Sequence, residues 1–186
     1  MSEALVLLYY RGKTVELKLS ASCTLSFLGG LGSFTTSSNN VDRPLHHICQ
    51  LAISTFDPGY FNGDSILPLV HGMTYDECQL TYRYGEQDIH VEHLEPRNGS
   101  DDWPYSNYPT VLPQHYLEVG VSVAESWPAF RRRTFWLPRQ MPSELVVVIP
   151  APNDINFPLW PPVADPALVF EVSVRERRIK TYNVYD

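Results

Sequence analysis

The chain has 186 residues, 44% of them apolar and 19% charged, which excludes a generic disordered chain and is enough for one domain with its own core. No apolar run approaches the roughly 18 residues of a membrane-spanning helix, so no membrane is expected among its partners. The net charge of −7 sets the chain against polyanions and argues against nucleic-acid binding as a main role.

Taken in chain order, Ala4–Tyr10 and Thr14–Leu19 are apolar or alternating runs joined by Arg11-Gly12-Lys13, the pattern of a hairpin. Glu3 stands where a secretory signal would carry Lys or Arg, so a cytoplasmic location is expected. Ser22–Leu28 reads as a third strand with Cys23, Leu25 and Phe27 on one face, and it runs into the loop Gly29-Gly30-Leu31-Gly32-Ser33. A short α-helix is expected near residues 43–56. Asp42 suits its cap and Pro44 its first turn, and Leu45, Ile48, Cys49 and Ala52 recur at helical spacing.

Strand signals dominate afterwards. Tyr75–Tyr84 alternates, with Cys78, Leu80, Tyr82 and Tyr84 on one face; Gly85-Glu86-Gln87-Asp88 turns the chain into Ile89–Leu94. With Glu86 and Gln87 at the turn centre, Arg83 lies opposite His90 and diagonal to Glu92. Residues 95–114 form a long polar and aromatic loop holding Asp101, Asp102, Trp103 and Tyr105. Further strands are expected at His115–Val123, Arg132–Leu137, Glu144–Ile149, Ala167–Arg175 and Arg177–Tyr185. Sixteen prolines, all single but for Pro161-Pro162, are scattered along the chain, nearly twice the ordinary share of about 5%, and punctuate strands with rigid turns. The result is one mainly β domain over residues 1–186, β-sandwich-like, with about eleven strands and one short helix.

Charge is unevenly placed along this order. Residues 57–125 carry twelve acids against Arg83 and Arg97 alone, whereas the segments on either side carry more bases than acids. An acidic middle third attracts a basic partner or a cation.

The residues that can do chemistry do not converge at motif spacing. His90, Glu92 and His93 lie beside Asp88 and Glu95, with His71, Asp76, Glu77 and His115 as remote candidates for a divalent-metal or acid/base set. Strand geometry puts His90 and Glu92 on one face and His93 on the other. His46 and His47 diverge by about 100° on a helix and cannot readily share an ion. Cys23, Cys49 and Cys78 fall on apolar faces, which raises a thiol pKa, and no two form a C-x-x-C pair. No G-x-S-x-G elbow occurs, and the glycine loop lacks the lysine of a P-loop and the order of a dinucleotide site, so no cofactor is expected. Arg131-Arg132-Arg133 and the group Arg175, Arg177 and Arg178 are the basic runs, best used in local pairing with the acids.

The expected role is therefore a non-catalytic protein-binding module, in its most concrete form an acidic inhibitor or immunity protein that covers the cationic cleft of a toxin or nuclease. Glu86, Asp88, Glu92, Glu95, Asp101 and Asp102 would steer the partner, and Trp103 and Tyr105 would anchor it. The alternatives are a metal-assisted β-sandwich enzyme using His90 and Glu92, and a structural subunit of a larger assembly.

Overall fold

The computed structural model describes residues 4–37, 45–53, 66–73, 78–95, 111–134, 137–150 and 167–184. Among them the strands are β1 (Val6–Tyr10), β2 (Lys13–Leu19), β3 (Phe27–Leu28), β4 (Thr35–Ser37), β5 (His46–Ala52) and β6 (Ile66–His71). They continue as β7 (Gln79–Tyr84), β8 (Asp88–Glu95), β9 (His115–Ala124), β10 (Leu145–Ile149), β11 (Ala167–Ser173) and β12 (Arg178–Val184); the one helix is α1 (Trp127–Thr134). The strands form one sheet in the order β4-β8-β7-β12-β11-β10-β1-β2-β9-β3-β5-β6. Every pairing is antiparallel except β4 with β8. Among the described residues the chain is thus mainly β with a single short helix.

Local chemistry sets the turns. Arg11 and Gly12 both sit in the left-handed region, at φ 48° and 71°, the geometry that matches a two-residue hairpin turn to the twist of its strands. Gly85 donates its N–H to Asp88 O at 2.8 Å, and Glu86 and Gln87 are the turn centre between β7 and β8.

The sheet curls over so that its last strand lies against its third. The Tyr82 hydroxyl of β7 accepts the Val70 N–H at 3.0 Å and donates to Pro68 O at 2.9 Å, both on β6. Thr181 of β12 contacts His71 Nδ1, also on β6, at 3.2 Å. Between these facing stretches lies the main core, with Leu8, Leu17, Ile48, Leu51, Leu69, Leu80, Val147 and Phe170 almost without exposure. A second cluster sits on the outer face, where α1 lays Trp127 and Phe130 on Leu7 and Tyr9 of β1 and Val146 and Val148 of β10.

Besides β4 and β6, which the sequence reading does not include, and β3, which is confined to Phe27–Leu28 of the run Ser22–Leu28, two placements differ from that reading. Residues 46–52 form β5, paired with β3 and β6, and not a helix near 43–56. The segment is buried almost throughout, and Leu45, Ile48, Cys49 and Ala52 fit helical spacing as well as they fit a strand buried on both faces. Asp42 and Pro44, which suggested the cap, lie outside the described residues. The helix falls instead where a strand was expected over Arg132–Leu137. Trp127, Phe130 and Thr134 are its buried residues, a three-and-four spacing, and the basic triplet occupies its last turn, where cations suit the helix dipole. Ser126 O accepts the Phe130 N–H at 3.0 Å to start it.

Candidate functional site

The acidic hairpin is the place to begin. β7 and β8 pair as expected at Arg83 and His90, but a bulge falls between Thr81 and Tyr82. Tyr82 faces Val91 and Thr81 faces His93, so Glu92 is the extra residue and the alternation flips beyond it. His93 therefore shares the outer face with His90, against the expected split, and Leu94 faces Leu80.

The outer face of β8, β7, β12 and β11 is a lattice of mixed charge. Glu92 takes Arg83 at 2.5 Å on one oxygen and Arg178 at 2.7 Å on the other. The hydrogen bond from Arg83, then that from Arg178, holds its carboxyl below the ordinary range. Lys180 lies over the Tyr182 ring at 5.3 Å, and the Tyr182 hydroxyl donates to Glu171 at 2.8 Å. His93 sits 3.7 Å from Glu95.

Of the expected partner-binding residues, Glu86 and Asp88 are exposed at the hairpin turn, and Glu95 is exposed at the far end of β8. Glu92 is placed between them but is already spoken for by two guanidinium groups. Asp101, Asp102, Trp103 and Tyr105 lie outside the described residues, as do Asp76 and Glu77. A divalent ion at His90 and Glu92 would have to displace two arginines from the carboxylate. Among the described residues no three of His, Cys, Asp and Glu are grouped to hold an ion.

Several other basic groups are also used at home. Arg133 of α1 pairs with Glu16 of β2 and lies 3.5 Å from Glu125. Arg131 donates to Leu137 O, Lys18 meets Glu118 at 3.2 Å, and Arg175 meets Glu144 at 3.5 Å. Of the arginine triplet, Arg133 thus pairs with β2 and with Glu125 just past β9, not with the hairpin.

Sequence reasoning missed a buried polar cluster. His46 and His71 face each other across β5 and β6, both buried, with Thr181 and Asn183 of β12 beside them. Burial pushes His71 down to about 4, the Asn183 side chain as acceptor opposes, and the neighbouring His46 adds to the downward shift. His47 points elsewhere and donates through Nδ1 to Gly29 O at 2.7 Å. That bond ties the glycine loop to β5, and a Cβ at Gly32 would run into the His47 ring. No periodicity marks these histidines, because β5 was read on the wrong period. Cys49 and Cys78 are buried, with the Cys78 thiol pushed up to about 12. Cys23 is exposed, contrary to the apolar face expected for it.

Comparison with protein-family models, with curated proteins and with solved structures finds no match. Among the described residues, no helix is long and apolar enough to cross a membrane.

Proposed function

We propose that this chain is a non-catalytic cytoplasmic protein-binding module that docks on a basic protein. In its most concrete form it is an inhibitor or immunity-type protein that covers the cationic cleft of a toxin or nuclease. The observation that carries the reading is how charge is spent. Lys18, Arg83, Arg133, Arg175 and Arg178 are each paired with a carboxylate of the same chain, while Glu86 and Asp88 are exposed at the hairpin turn and have no ion pair among the described residues. With a net charge of −7, the surplus left to face a partner is negative, and such a surplus speeds encounter with a cationic surface. Three free cysteines, one of them exposed, suit a reducing compartment.

The test is capture from extract of the native host on immobilised chain, followed by elution in a salt gradient. A captured protein with an isoelectric point above about 9, released by salt and lost on Glu86→Lys/Asp88→Lys, is the expected result. Capture that the double variant leaves unchanged contradicts the role given to the turn.

A further inference from the structure

The fold treats its strand edges unequally. β6 carries Pro68, and its edge groups at Val70 and Pro68 are taken by the Tyr82 hydroxyl. β4 has three residues, and the far half of β8 bears Glu92, His93 and Glu95; short strands and edge charges are both devices that discourage pairing. β9 has no such protection. β2 lies along one side of it, but β3 reaches only Tyr116 and His115 on the other. Among the described residues no strand covers that second side from Val119 to Ala124, a segment with no charge and no proline.

Which groups face outward follows from one bond. Glu125 N–H donates to Gly12 O at 2.9 Å, so Glu125, Val123 and Val121 turn their backbone groups to β2, and Ser122 and Ala124 turn theirs away. Val121 and Val123 stand on the outer face, 44% and 43% exposed. Glu16 faces Val121 and Leu17 faces Val119, which makes Gly120 the extra residue of a bulge and ends the regular edge there.

We propose that a second copy of this chain covers this edge, β9 pairing antiparallel with β9 about a two-fold axis at Ser122. In that register Ser122 exchanges both backbone bonds with its own counterpart. Val121 of each copy then stands beside Val123 of the other, in the closely spaced non-hydrogen-bonded pairs. The same strand supplies both valine rows, and the small residues at Gly120, Ser122 and Ala124 offer nothing that would select a particular foreign side chain. The flanking acids lie outside the paired core and are neutralised within each copy, Glu118 by Lys18 and Glu125 by Arg133. The inference is independent of the partner reading, because the edge carries none of the hairpin carboxylates. Its salt response has the opposite sign: two chains of like net charge associate as well or better at high ionic strength.

Sedimentation equilibrium of the full chain up to about 100 μM tests it with two variants. Wild type is expected to be dimeric. Ser122→Pro, which removes an N–H pointing away from β2, is expected to be monomeric with an unchanged fold. Ser122→Cys in a Cys23→Ser background places the thiols on Cα atoms about 5.5 Å apart across the axis, within disulfide reach, and forms a covalent dimer under oxidised glutathione. Ser126→Cys in the same background does not. A monomeric wild type, or a dimer that survives Ser122→Pro, overturns the proposal. If Ser122→Pro does not fold, the cross-link decides: failure of Ser122→Cys to couple overturns it.

Discussion

At the scale of single residues, Tyr82 does what a neighbouring strand would do for β6. One hydroxyl takes the Val70 N–H and serves Pro68 O in a dry core. Tyr82→Phe leaves both backbone groups without that partner, so it should cost about 1–3 kcal/mol, read as a lower denaturation midpoint at unchanged slope. A midpoint equal to wild type would mean the contact closes nothing. His71 sets a pH dependence of definite sign. Its folded pKa of about 4 lies below the ordinary 6.5, so between these values the unfolded chain binds more protons. The stability it contributes is whole above pH 6.5 and is lost as pH falls toward 4, up to about 3 kcal/mol. Among the described residues the groups facing it are His46, Thr181 and Asn183, and none of them is a carboxylate that would reverse the sign. Unfolding free energies measured at pH 7 and pH 4.5 should converge in His71→Gln relative to wild type; equal losses in both proteins would contradict the assignment.

Elements show how far the linear pattern reaches. The hairpin of β7 and β8 was legible because alternation, turn chemistry and the Arg83 and His90 pairing all agree. The bulge at Glu92 was not, since an extra residue is set by how the two strands fit and leaves no mark in either one alone. β5 shows the opposite failure: its neighbours bury it on both faces, so no polar face remains to reveal period two. α1 was hidden because its last residues, Arg132 to Thr134, run into Phe135-Trp136-Leu137 and read with them as a strand; its buried side is Trp127, Phe130 and Thr134. Its weight is in Phe130, fully buried against Tyr9 with ring centroids 5.1 Å apart. Phe130→Ala should cost about 3–5 kcal/mol in an unfolding titration. A loss under about 1 kcal/mol would show that the helix is not what seals the outer cluster. Of the site, Glu86, Asp88 and Glu95 are exposed, whereas the neutralisation of Glu92, which no local pattern announces, draws on Arg178, 86 residues away.

For the whole molecule, the acidic middle third does not assemble into one unbroken patch among the described residues. Glu92 is cancelled at its centre, and the open carboxylates stand at the two ends of β8. What remains is an imbalance: Lys18, Arg83, Arg133, Arg175 and Arg178 are paired internally, and the net charge of −7 leaves a negative surplus. The account predicts that a cationic partner, once isolated, associates with this chain at a rate that falls at least about tenfold between low and physiological ionic strength, while its dissociation rate changes little. Surface-coupled binding kinetics across a salt series measures both rates directly. An association rate that stays constant across the series, with affinity intact, would contradict a partner drawn in by those carboxylates.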